Sequence, residues 1–210
     1  MLQDRYAPNS RHRYVLLNRD GVINRRVAGG HVTSWDSFHF LPGALDGLRL
    51  FAEHRYTALI LSTQPGVGQG LLSSNDLESI TRHFLLEVAL TGGNIGQVYY
   101  CKHIEEDHCS CRKPLRGLFV RARMEHRFVP EDTYFVGDSE SDIGAATAAG
   151  CPPLMIRRDA FLERHVPGAP RPLAVSNLYE AAELIVALQR VRLPEDNLAY
   201  SATWRQGTRS

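Results

Sequence analysis

Along the chain, short apolar runs that end in polar turns alternate with stretches where apolar residues recur every three or four positions. The runs fall at residues 14–17, 57–61, 97–100, 133–136 and 153–156. Several consecutive residues with little polar alternation are the pattern of strands covered on both faces, as in a parallel sheet. Between them, Leu45, Leu48, Leu50 and Phe51 predict a short helix after Pro42-Gly43. Leu77, Ile80, Phe84, Leu85 and Val88 predict a longer one, started by Ser73-Ser74-Asn75-Asp76. Pro114 is placed to open a helix to about residue 126, residues 143–149 form an alanine-rich helix stopped by Gly150, and residues 177–191 form the last helix. Residues 25–42 interleave Gly29, Gly30 and Pro42 with Trp35, Phe38 and Phe40, which predicts an ordered loop folded over the end of the first strand.

This alternation predicts an α/β fold, a Rossmann-like doubly wound parallel sheet in one domain over residues 14–191. A polar arm, 1–13, precedes it and a polar tail, 192–210, follows. A length of 210 residues suits one well-buried core, and 43% hydrophobic with 22% charged residues is ordinary for a globular protein. The net charge of +1 gives no reason to expect nucleic acid or a membrane as partner. No apolar run approaches membrane-spanning length and the N-terminus lacks a signal-peptide core, so the cytosol is the expected compartment and a monomer the default. Three of the four cysteines crowd into residues 101–111, which in a cytosolic chain reads as metal binding before disulfides.

The polar groups gather where the strands end: Asn18 and Asp20 with Asn24; Ser62, Thr63 and Gln64; Arg112 and Lys113; Asp138 and Asp142. A doubly wound sheet brings such ends to one edge, where ligands bind. Taken singly each has an ordinary explanation, since a Gly-Asp-x-x-x-Asp commonly marks a turn and helix cap, and a lysine before proline is commonly solvated. Neither explanation predicts all four clusters in this order. Cys101, His103, Cys109 and Cys111 supply three thiols and an imidazole, a tetrahedral Zn²⁺ set with no position left for water, and therefore structural; His108 is an alternative ligand. Cys151 reads as a small buried apolar residue.

In order and content these clusters resemble the four motifs of the haloacid dehalogenase superfamily of phosphatases, over residues 14 to 157. The zinc loop running into Arg112-Lys113-Pro114, with residues 18–24 and Gln64-x-Gly66-x-x-x-Gly70, is similar to the D-glycero-D-manno-heptose 1,7-bisphosphate 7-phosphatases and the related histidinol-phosphate phosphatases, compact members without a large cap domain. The resemblance implies a phosphorylated sugar as substrate and Mg²⁺ as cofactor, held by Asn18, the Asp20 carbonyl and Asp138, with Asp142 orienting Lys113 or the metal's waters. It implies Asp20 as acid/base, Lys113 as charge stabiliser, and Asn24, Ser62, Thr63, Gln64 and Arg112 as substrate-binding, Arg112 on a distal phosphate unless it is merely solvated.

The departures carry as much information. Asn18 stands at the position of the family's Asp nucleophile, Thr63 where Asn is usual, Pro65 where Ser is usual, and Gln69 where Arg is frequent. An amide oxygen is a neutral, poor nucleophile, so turnover falls by several orders of magnitude and Mg²⁺ binds more weakly. The expectation is a Mg²⁺-dependent sugar-phosphate phosphatase of which this copy is inactive or strongly impaired, whether Asn18 is an introduced change or natural. The alternative is a natural relative without catalysis that binds a phosphorylated sugar as a regulatory or partner protein. Hydrolysis through another nucleophile is the remaining possibility.

Overall fold

The computed structural model describes residues 13–157 and 173–192. Strand β1 (Arg13–Leu17) lies inside the sheet, paired in parallel with β2 (Tyr56–Thr63) on one side and β4 (Phe135–Gly137) on the other. With β3 (Ile95–Cys101), β5 (Pro153–Ile156) and β6 (Leu173–Val175) the sheet has six parallel strands in the order β3-β2-β1-β4-β5-β6. Chain order reverses between β1 and β4, which opens a crevice at their carboxyl ends. The doubly wound parallel sheet expected from the apolar runs is present.

Both faces of that sheet are covered, which is why its strands show no polar alternation. Val15, Leu17, Ala58 and Ile60 face α1 (Ala44–Glu53), α3 (Ser74–Leu90) and α6 (Leu178–Arg192), through Leu48, Phe51, Ile80, Phe84 and Ile185. Leu16, Leu59, Leu61 and Phe135 face α4 (Gly117–His126) and α5 (Glu140–Ala148), through Leu118, Phe119, Ala145 and Ala146. Gly47 lets α1 approach the backbone at Leu178 so closely that a Cβ there would lie 2.6 Å from its carbonyl oxygen. Ser73 caps α3 as its sequence suggests, its hydroxyl accepting from the Asp76 N–H at 3.1 Å.

Several boundaries differ from expectation. Strand β2 continues through Ser62 and Thr63 because these pair with Tyr100 and Cys101. Helix α4 begins at Gly117, three residues past Pro114, because residues 112–115 close a turn first, the Leu115 N–H donating to Arg112 O at 2.9 Å. Helix α5 begins at Glu140, since Ser139 caps it on the Asp142 N–H. Strand β6 and a single-turn helix α2 (Pro65–Gly68) have no counterpart among the expected elements. Of the expected arm 1–13 and tail 192–210, all but Arg13, in β1, and Arg192, in α6, lie outside the described residues. Among the described residues no helix is long and apolar enough to cross a membrane.

The aromatic loop closes over the end of β1. Its path is fixed by backbone bonds from Arg25 N to His39 O (2.8 Å) and Leu41 N to Ile23 O (2.9 Å). Trp35 stacks on Phe38 (5.1 Å) and on His83 of α3 (5.2 Å), and Phe38 stacks on Phe84 of the same helix at 5.7 Å.

Candidate active site

At the β1–β4 crevice four side chains from three remote parts of the sequence meet. The Asn18 Nδ2 lies 2.9 Å from Asp20 O, 3.2 Å from Asp138 Oδ1 and 3.3 Å from Asp142 Oδ2. The Lys113 ammonium donates to Asn18 Oδ1 at 3.0 Å and Leu61 O at 3.1 Å, and pairs with Asp142 Oδ1 at 2.5 Å. The sheet order brings Asn18 and the two aspartates together, because β1 neighbours β4, and Lys113 reaches them from the loop after β3 through its bond to Leu61 O of β2. Asn18, Asp20, Lys113 and Asp142, with Arg26, His31, Thr63, Gln64, Arg112, Ser139 and Ser141 around them, line a cavity of about 290 Å³, to which Asp138 is tied through Arg26.

The carboxylates are in different electrical states. Burial works against the Asp20 carboxylate, but the Arg19 charge and donors from Asn24 and Gln64 outweigh it and hold the group below the usual carboxylate range. Asp142 is also held low against burial, by Lys113, by the Asp138 N–H and by Ser139. Burial pushes Asp138 above the usual range despite the guanidinium of Arg26.

Not every expected residue reaches the cavity. Asn24 is buried and turned toward Asp20, its Nδ2 donating to Oδ1 at 2.8 Å. Ser62 is buried too, its hydroxyl accepting from Gln64 Nε2 at 2.9 Å. Neither lines the cavity, so both act as supports behind it. Gln64 also donates to the Asp20 carboxylate and accepts from Arg19 at 3.1 Å. Thr63 does line the cavity, and its Oγ1 is buried without a hydrogen-bond partner among the described residues. Arg112 lies at the cavity wall, its Nη1 3.4 Å from His103 O.

Two arginines of the site are absent from the expected set. Arg19 has no solvent exposure; it pairs with Asp20 at 2.9 Å and sits between the rings of Phe38 and Tyr100, 5.8 Å from each. The signal available is a charged residue between Leu17 and Val22 at a buried strand end, which requires a partner. Arg26 grips Asp138 with two nitrogens, Nε to Oδ2 at 2.6 Å and Nη2 to Oδ1 at 2.7 Å. No local pattern announces a pair 112 residues apart.

The cysteine cluster stands beside this cavity, at the end of β3. Cys101 Sγ lies 3.7 Å from His103 Nδ1 and 3.7 Å from Cys109 Sγ; Cys111 Sγ lies 3.5 Å from Cys109 Sγ and 3.2 Å from His103 Nδ1. These match the ~3.5–3.8 Å edges of a tetrahedron built on ordinary zinc–sulfur and zinc–nitrogen bonds, except that the last is slightly short. Burial acts against the Cys109 thiolate, yet backbone N–H groups of Arg112 and Cys111 bring the thiol down to about 7. His108 is outside the cluster.

Comparison with known proteins shows the family. A family described as HAD-hydrolase-like matches residues 110–181. A D-glycero-alpha-D-manno-heptose-1,7-bisphosphate 7-phosphatase of Mycobacterium bovis is 36% identical over 157 residues, covering 71% of this chain and 83% of the relative. The chain belongs to the HAD-like hydrolases, in the family of the heptose-1,7-bisphosphate 7-phosphatases. A D-glycero-beta-D-manno-heptose-1,7-bisphosphate 7-phosphatase of Pseudomonas putida is 32% identical, covering 73% of this chain and 89% of the relative. The crystal structure of D,D-heptose 1,7-bisphosphate phosphatase from B. bronchiseptica, complexed with magnesium and phosphate, superposes with a TM-score of 0.75 at 27% identity, covering 85% of this chain and 99% of that one. The relatives thus divide between the alpha and beta sugars.

Proposed function

We propose that this chain carries the sugar-phosphate site of the heptose-1,7-bisphosphate 7-phosphatases in a form whose turnover Asn18 suppresses. One observation carries the reading: Asn18 lies within hydrogen-bonding distance of Lys113, Asp138 and Asp142, and Lys113 pairs with Asp142, beside a polar cavity that Asn18, Lys113 and Asp142 line. That is the arrangement needed to hold a phosphoryl group against a side chain at position 18. A carboxylate there attacks phosphorus and forms an acyl-phosphate as the sugar oxygen leaves; the neutral amide does not. Asp20 is held below the usual carboxylate range, against burial, by its cage of Arg19, Asn24 and Gln64, and stands where the resemblance puts the acid/base. Loss of the nucleophile fits negligible hydrolysis.

The metals divide. The cysteine cluster has the ligand types, the number and the spacing for structural Zn²⁺, and we assign it there. At the strand edge the donor set does not fit Mg²⁺ as it stands. The expected ligands Asn18, Asp20 O and Asp138 do meet, but Lys113 takes the Asn18 oxygen and leaves its N–H groups facing the other two. Magnesium needs oxygens in an octahedron, and an N–H is not a ligand.

The test is phosphate release from heptose 1,7-bisphosphate by the chain and by Asn18→Asp, with Mg²⁺ supplied. Restoring the carboxylate is expected to raise turnover by several orders of magnitude. No activity of Asn18→Asp on a heptose bisphosphate or on histidinol phosphate would overturn the suppressed-phosphatase reading in favour of a pure binding role.

A further inference from the structure

Each carboxylate of the site already has a cation of its own: Asp20 has Arg19 at 2.9 Å, Asp142 has Lys113 at 2.5 Å, and Asp138 has Arg26 at 2.6 Å. Three negative charges meet three positive ones, and the cluster is neutral with no ion added. We propose that Arg26, together with the amide of Asn18, takes the place of a divalent cation at Asp138, so that this pocket binds a phosphate monoester without Mg²⁺. The proposal rests on the sugar-phosphate reading above and specifies how the ligand is held.

Both Asp138 oxygens are committed. Oδ2 accepts from Arg26 Nε, and Oδ1 from Arg26 Nη2 and Asn18 Nδ2. A guanidinium fork on a carboxylate is a strong, directional pair. Asn18 is not free to turn its oxygen inward instead, because a flipped amide would set its N–H groups against the Lys113 ammonium at 3.0 Å. The local backbone is shaped to this clamp. Gly21 has φ +87°, and a Cβ on it would run into the Asp138 carboxylate and Arg26 Nε.

What remains points to an anion. All three N–H groups of Lys113 are taken by Asn18, Leu61 and Asp142. Arg26 uses two of its three nitrogens on Asp138 and lines the cavity, leaving Nη1 for a ligand oxygen. Thr63 Oγ1 is buried and unpartnered among the described residues, and Thr63 and Arg112 both line the cavity. These groups donate to phosphoryl oxygens and require no metal bridge.

The probe is inorganic phosphate, titrated calorimetrically into the full chain with its zinc retained, in buffer freed of Mg²⁺ by ion-exchange resin rather than by a chelator. The expected result is an affinity that changes by less than about twofold when Mg²⁺ is added, and no saturable heat from Mg²⁺ alone. Arg26→Gln should weaken phosphate about tenfold with unchanged circular dichroism, and Arg26→Lys, which keeps the charge but loses the fork, should fall between. Asn18→Asp combined with Arg26→Gln should make phosphate binding Mg²⁺-dependent. A tenfold or greater tightening by Mg²⁺ in the unaltered chain, or full affinity in Arg26→Gln, would overturn the clamp. Should the unaltered chain fail to bind phosphate while Asn18→Asp hydrolyses heptose 1,7-bisphosphate, the clamp falls and the sugar-phosphate reading stands. Metal-independent binding with an inactive Asn18→Asp would instead uphold the clamp and overturn the suppressed-hydrolase reading.

Discussion

Lys113 and Asp142 lie 2.5 Å apart with side chains 4% and 1% exposed, so the charge of each is compensated almost wholly by the other. A buried pair of this kind is dangerous to halve, because the remaining charge has neither water nor partner. Lys113→Met is therefore expected to destabilise the fold by about 3–5 kcal/mol. Lys113→Met/Asp142→Asn should recover part of that loss. Urea unfolding of the two variants checks this; a double variant less stable than the single one would show that Asp142 matters mainly as acceptor for Asn18 and the Asp138 N–H.

Acid should unfold the protein through the same cluster. Asp20 and Asp142 are held below the usual carboxylate range, so their stabilisation is complete above the unfolded value of about 3.9 and is lost as pH falls through their folded values. Asp138 is raised by burial and works oppositely: the stability it withholds at neutral pH returns as pH falls through its folded value. Two depressed groups against one raised group leave a net loss. The urea midpoint is expected to hold down to about pH 5 and to drop below about pH 4, with a shallower drop in Asp142→Asn.

Zinc removal should be felt in the phosphate site. Cys111 precedes Lys113 by two residues, and Cys101 ends the strand that pairs with Thr63. Cys109→Ser is expected to lose about one equivalent of tightly held zinc and to lower the thermal midpoint, because a structural zinc site contributes directly to folding. Phosphate affinity should fall with it. Metal analysis after dialysis, thermal unfolding and the phosphate titration are the measurements; unchanged zinc content in Cys109→Ser would show that this thiol is not a ligand.

Phe38 fastens the loop that carries Arg26. It is 5% exposed and stacked between Trp35 and Phe84. Phe38→Ala is expected to cost about 3–5 kcal/mol of stability. Phosphate binding should weaken in addition, since the guanidinium loses its fixed approach to Asp138. Retained affinity in a destabilised Phe38→Ala would separate the clamp from the loop's packing.

Much of this arrangement is written locally. Apolar runs such as residues 14–17 and 57–61 become inner strands because both faces are buried, and the polar residues following them converge through the strand order. The cysteine cluster is equally legible, since its four side chains lie within eleven residues. Strand β6 is hidden in the sequence because Leu173 and Ala174 are exposed and three residues at a sheet edge make no apolar run. The clamp is hidden because Arg25 and Arg26 look alike in sequence, and only folding shows which one reaches Asp138. Asn24 and Ser62 share strand ends with cavity-lining groups and so look alike in sequence, whereas burial turns them toward Asp20 and Gln64.

Pairing each inner carboxylate with its own cation shapes events well outside the cavity. Opposed charges at such short range make local dipoles, whose field fades within a few ångströms of the rim, so they retain an anion on contact but do little to draw one in. Among the described residues lining the cavity, Arg112 is the strong cation without a carboxylate partner, and long-range attraction falls to it. Capture and retention are thereby divided between different residues: ionic strength should govern how fast a phosphorylated guest arrives, and scarcely how long it stays.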